Sequence, residues 1–306
     1  VRTPLQGGLL APGALTGAVV EIACDESGFS GTNLLHPGMP VIAHAGVDLA
    51  VDEAVTLLSR FRRSPHELKS GGLLRGPDAA EAREWLLTAL RGRAHVHLVD
   101  KEFFLVTRVV DLLLGEPSYA DGTRLARAHR REAETLHRAG RAAGAGWHAF
   151  LTAFTDLVRV KRRVPGAVDR FLRARDTLIR AVPEPAAAVL AAIEPGRTRD
   201  LLRRLEDDDP AIPPPLEPLL PALAETVLTW AAGGRQVVVT HDEQSALTAT
   251  RLRRLQAALT DDSGRSALAG LTMADSRADP RVQVADLLAG IARRAHAATP
   301  AAAAPE

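Results

Sequence analysis

Cysteine is nearly absent from this 306-residue chain: Cys24 stands alone, which excludes an intramolecular disulfide and a cysteine-built zinc site and fits a reducing compartment. Cys24 lies in an apolar, strand-like run and reads as a small buried residue rather than a nucleophile. Lysine is almost as scarce, at Lys69, Lys101 and Lys161 only, so arginine carries the basic charge. Net charge is missing too. Lys+Arg number 38 against 37 Asp+Glu, and the resulting +1 leaves no global basic field to draw nucleic acid, so any such affinity must be local. No apolar run reaches bilayer length. The first residues lack the charged start and unbroken apolar core of a signal peptide, so the expectation is a cytoplasmic protein with no membrane partner. Neither G-x-x-x-x-G-K-[ST], nor G-x-G-x-x-G after a strand, nor a G-x-S-x-G elbow occurs, which leaves nucleotide hydrolysis, dinucleotide redox and serine-hydrolase chemistry without support.

What is present is ample core material. With 46% hydrophobic and 25% charged residues, the chain suits one elaborated domain or a domain carrying a large insertion. Residues 1–17 are rich in Gly and Pro and read as a flexible arm. Strand-like runs follow at 18–24, 41–49, 94–99, 235–240 and 268–274. Helical spacing occupies 51–63, 78–91, 101–114, 246–259 and 281–296. Between 119 and 232 the strand pattern disappears and arginine-dotted helical segments take over, broken by Pro and Gly. The expected organisation is therefore an α/β core over 18–118 and 233–296, a mixed sheet flanked by helices, with an all-helical insertion at 119–232 and a disordered Ala/Pro tail at 297–306.

Ligands of such sheets gather at the carboxyl ends of strands. Here those ends are acidic: Asp25-Glu26, Asp100-Lys101, Asp242-Glu243 and Asp275-Ser276. Any one of them alone is ordinary, because Asp and Ser commonly form turns and helix N-caps after strands. Together on neighbouring strands their charges would converge and repel, and a hard divalent ion would offset that repulsion. Asp286 is harder to treat as ordinary, since Val282-Gln-Val-Ala-Asp-Leu-Leu-Ala-Gly290 surrounds it with apolar helix residues and an unpaired carboxylate is costly to bury.

These residues carry a resemblance. DESGFSG at 25–31, ELK at 67–69, VDK at 99–101, HDEQS at 241–245, DS at 275–276 and QVADLLAG at 283–290 resemble, in order, the bacterial family known as domain of unknown function 3800. The resemblance runs from about Val19 to His296 and is less clear over the helical segment. It implies a ribonuclease H-like fold and a nuclease site dependent on Mg²⁺ or Mn²⁺. By position, Asp25 resembles the leading metal ligand of ribonuclease H-like enzymes and Asp286 their last. Asp100 and Asp242 compete for the intermediate place, and Glu67 could complete the set, although Pro65 argues against the helix on which that acid usually sits. Lys69 and Lys101 would either contact the scissile phosphate or pair with the neighbouring acids.

His241 beside Asp242 is placed to assist proton transfer near such a metal, its ordinary pKa being close to neutrality. His95 and His97 share one strand face and read as polar residues of a half-exposed strand rather than transition-metal ligands. Arg124, Arg127, Arg130, Arg131, Arg138 and Arg141, and later Arg159, Lys161, Arg162 and Arg163, recur at spacings that suit either nucleic-acid phosphates or a solvated, paired helix face. Trp147, Phe150 and Phe154 nearby read as core. Two functions follow from different classes: a metal-dependent nuclease acting on DNA or RNA, or a non-catalytic ribonuclease H-like scaffold whose insertion binds a protein partner or a second copy.

Overall fold

β1 (Val19–Ser27) alternates exposed and buried residues at its start and is then buried continuously through Asp25, as a strand does when it passes from an edge of the core into its middle. The computed structural model describes residues 8–9, 15, 17–29, 31, 33–61, 79–159 and 164–298. Four further strands, β2 (Val41–Val47), β3 (Ala94–Asp100), β4 (Gln236–Asp242) and β5 (Leu268–Ala274), complete a mixed sheet in the order β3-β2-β1-β4-β5. β2 runs antiparallel to β1, with Ala45 opposite Asp25 and His44 opposite Glu26. β4 runs parallel to β1, and β5 parallel to β4, with Cys24, His241 and Met273 in one row.

The chain divides into two compact units: a sheet unit of residues 1–29, 41–99 and 222–306, and a helical unit of residues 30–40 and 100–221. The helical unit therefore begins earlier and ends earlier than the 119–232 read from sequence. α3 (Lys101–Leu113) belongs to it because that helix packs on α4 (Arg130–Ala142), α5 (Ala145–Val158) and α8 (Pro195–Glu206). α9 (Leu219–Trp230) falls mostly in the sheet unit because Thr226 and Trp230 lie against Gly46 of β2.

In the sheet unit, Ala23, Ala43, Ala45 and Val47 meet Val282, Val284, Ala285, Leu287, Leu288, Ala289 and Ile291 of α11 (Pro280–Ala298). Small side chains on the strands let that helix lie close, and α1 (Val51–Ser59) and α2 (Ala79–Ala89) add Ala54, Leu58 and Leu86 to the same core. α9 covers the other face: a Cβ on Gly46 would lie 3.1 Å from Trp230 Nε1, 3.2 Å from Thr226 Cγ2 and 3.4 Å from Cys24 Sγ. α10 (Ala249–Ala258) links β4 to β5, with Thr248 as its N-cap. The arm expected to be loose is tied down at one point. Leu9 exchanges both backbone hydrogen bonds with Leu271, at 2.7 and 2.8 Å, on the outer edge of β5. Among the described residues no helix is long and apolar enough to cross a membrane.

The helical unit also contains α6 (Ala167–Ile179) and α7 (Glu184–Ala191). Its centre is aromatic: Trp147 stacks on Phe150, and Phe150 and Phe154 both pack on Phe171, with ring centroids 5.4 to 6.0 Å apart. Charged groups sit inside it as well. Arg108 is 2% exposed, donates to the Asp121 carbonyl at 2.9 Å, and stands 4.0 Å from Asp111 and 3.9 Å from Asp121 carboxylate oxygens. Burial outweighs the attraction to Arg108, and repulsion from Asp121 adds to it, so the Asp111 carboxyl is pushed up to about 7.

An acid whose folded pKa is raised contributes stability that is complete below its unfolded pKa and is lost as pH rises through the folded value. Wild type should therefore lose stability between about pH 4 and about pH 7, on the order of 3 kcal/mol from this group, and Asp111→Asn should flatten that slope. Denaturant unfolding followed by Trp147 fluorescence measures it; identical slopes for the two proteins would remove Asp111 as the cause.

Candidate functional site

Alternation along β1 puts Ala23, Asp25 and Ser27 on the face covered by α11, and Cys24 and Glu26 on the face covered by α9. Arg293 of α11 confirms the first face, since its Nε donates to Ser27 Oγ at 3.0 Å. The chain then turns at Gly28, whose φ of +95° only glycine adopts readily, and where a Cβ would stand 2.5 Å from the Val41 carbonyl oxygen and 2.6 Å from Arg293 Cδ. The glycine of the DESG run is therefore a requirement of space as well as of backbone.

Asp25 is 7% exposed and its Oδ1 accepts the Glu26 backbone N–H at 2.7 Å. Asp242 ends the neighbouring parallel strand, one step beyond the Cys24–His241 pair, and so stands beside Asp25 on the α11 face. Its Oδ1 accepts the Ser276 N–H at 3.1 Å, while Gln283 of α11 donates to the Ser276 carbonyl at 2.7 Å. Asp286, half-buried between Ala285 and Leu287, lies about two helical turns before Arg293 on the same helix. Burial, then the charges of Glu26, Asp242 and Asp286, hold the Asp25 carboxyl well above the usual carboxylate range, against a smaller opposing effect of the Glu26 N–H. The structure thus brings Asp25, Asp242 and Asp286 together, and gives the DS and Q-x-A-D runs a physical role in holding Asp242.

Other expected site residues lie elsewhere. Asp100 belongs to the helical unit, is exposed, and caps α3 by accepting the Phe103 N–H at 2.9 Å, the ordinary use of an acid after a strand. Lys101 beside it is 0% exposed. Asp275 accepts the Arg277 N–H at 2.9 Å in a turn. Glu67 and Lys69 lie outside the described residues. His241 is 0% exposed and faces α9, on the side of the sheet opposite Asp25 and Asp242, which does not suit the proton transfer near a metal expected of it.

The α9 face holds a second polar cluster that sequence reasoning missed. His241 Nε2 is 3.1 Å from His44 Nε2 and 4.0 Å from Glu26 Oε2, His44 Nδ1 is 2.8 Å from Thr226 Oγ1, and Gln244 donates to Glu26 Oε1 at 2.7 Å. The DESG and HDEQS runs therefore meet through Glu26 and Gln244. Burial first, and then His241, His97 and His95, push the His44 imidazole well below its usual value. The available cue was His44 itself, a lone titratable group in a strand whose every residue is buried.

Among the described residues no three His, Cys, Asp or Glu side chains form a group placed to hold a metal ion. In donor chemistry the Asp25, Asp242 and Asp286 carboxylates fit a hard divalent cation, being oxygen donors of which two add their charge to the burial of the third. A cleft of about 720 Å³ lies at the opposite end of the sheet, by Gln236 and Leu268, which begin β4 and β5. It is remote from these acids.

With a chelator present, Asp25→Asn should melt above wild type at about pH 8, with the difference closing towards about pH 4, because it removes a carboxylate whose ionisation the fold opposes. Thermal melts of both proteins across that range decide it; a variant that melts lower at about pH 8 would show that the repulsion is not felt. Comparison of the chain with protein-family models, with curated proteins and with solved structures finds no match in any of the three.

Proposed function

We propose that the protein is a metal-dependent nuclease that hydrolyses nucleic-acid phosphodiesters at the carboxyl ends of β1 and β4, on a ribonuclease H-like sheet. One observation carries this reading: Asp242 follows Asp25 in register on the parallel neighbouring strand, and the charges of Asp242 and of Asp286 on α11 both act on Asp25. Mixed strand directions, with β2 antiparallel to β1 and β4 and β5 parallel, support the ribonuclease H-like reading of that unit. The motif resemblance to the domain of unknown function 3800 family supports it as well.

Asp25, Asp242 and Asp286 would hold Mg²⁺ or Mn²⁺, which supplies an activated water and stabilisation of the leaving oxygen. The chain itself holds these acids in place: Ser276 N–H bonds Asp242, Gln283 secures Ser276, and Arg293 anchors the end of β1 through Ser27. Arg124, Arg127, Arg131 and Arg138 are exposed on the helical unit and suit backbone phosphates. Arg127 Nε also donates to the Arg124 carbonyl at 3.2 Å, and Arg130 pairs with Glu134 at 2.9 Å.

Purified protein with Mg²⁺ or Mn²⁺ should cut labelled DNA or RNA, and EDTA should abolish cutting. Asp25→Asn, folded by circular dichroism, should lower the rate by about two orders of magnitude or more. If wild type cuts neither polymer and binds neither ion, the nuclease reading fails, and a partner-binding scaffold takes its place.

A further inference from the structure

The buried histidines have a definite hydrogen-bond order. His241 Nδ1 lies 2.9 Å from the Asp242 backbone oxygen, and a carbonyl only accepts, so that nitrogen carries the proton. A neutral imidazole carries one N–H and one lone pair. His241 Nε2 is then a lone pair, and His44 Nε2, 3.1 Å away, must donate to it. His44 Nδ1 is left as an acceptor and takes the Thr226 hydroxyl proton across 2.8 Å. The rings lie nearly parallel, with centroids 5.3 Å apart. Glu26 does not interrupt the chain, because its Oε1 is taken by Gln244 and its Oε2 stands 4.0 Å from His241 Nε2, beyond hydrogen-bond reach.

We propose that Thr226 and His44 are positioning residues for the strand-end carboxylates: an oriented chain from Thr226 through His44 and His241 to the Asp242 carbonyl joins α9, β2 and β4 and holds the last peptide of β4, from which the Asp242 side chain stands beside Asp25. The chain links β2 to β4 directly over β1, a connection that the backbone ladders make only through β1. It acts from the face opposite the acids, so none of its side chains touches substrate. Its consequence for metal affinity rests on the proposed nuclease site; the order of the hydrogen bonds does not.

Nitrogen-15 NMR of the histidines, carbonyl-carbon NMR of Asp242 and Mn²⁺ titration test it together. In wild type His241 should carry its proton on Nδ1 and His44 on Nε2. Thr226→Val should shift the Asp242 carbonyl resonance and weaken Mn²⁺ binding about tenfold, as loss of a ligand's supporting hydrogen bond does, and Thr226→Ser should restore both. If Thr226→Val does not fold, the pair His44→Gln and His44→Leu decides: the glutamine amide can still donate to His241 and should keep both readouts, while leucine loses them. A His241 protonated on both nitrogens or on Nε2 alone would overturn the proposal, as would a folded Thr226→Val with an unchanged Asp242 carbonyl and Mn²⁺ affinity. If wild type binds no Mn²⁺, the nuclease reading falls, and the Asp242 carbonyl response alone decides the positioning role.

Discussion

Burial of the Asp25 carboxyl beside other acids at the end of β1 is the constraint that the rest of the sheet unit has to accommodate. Asp25 is almost wholly buried among charges of its own sign, so the fold keeps it there only because the neighbouring strands and α11 are held by other interactions. The apolar seam of Ala23, Ala43 and Ala45 against Val284, Ala285 and Leu288 supplies much of that hold. Hydrogen bonds from Ser276 and Arg293 then place the strand ends more closely than packing alone would. Burying a carboxylate among like charges costs stability, which the packing of the sheet unit has to offset.

Strand alternation separates two kinds of polar chemistry at one end of the sheet. Asp25 and Asp242 fall on the α11 face, and Glu26 with the His44–His241 pair falls on the α9 face, because consecutive residues of β1 and β4 point in opposite directions. A one-residue slip of β4 would bring His241 beside Asp25 and turn Asp242 into the α9 interface beside Glu26, a charge of its own sign. The register is thus protected from both sides.

The helical unit solves its polar problem differently. It buries one guanidinium beside two carboxylates, with Phe104 beneath Arg108 at 5.0 Å from the ring centroid. Its aromatic centre is self-contained, and its exposed arginines stand on the outside of elements whose inner faces are apolar.

Sequence alone determined the five strands, the Asp25, Asp242 and Asp286 runs, and the helical character of the segment between the halves of the sheet, because apolar period and turn residues are local properties. It could not choose between Asp100 and Asp242: both follow strands, and only the tertiary structure shows Asp100 capping α3 while Asp242 stands beside Asp25. Nor could it find the His44–His241 contact, which joins residues far apart in the chain through strand pairing on both sides of β1. The division at 100 and 222 was equally hidden. An amphipathic period says that a helix has an apolar face, but which neighbour covers that face is settled only when the chain packs.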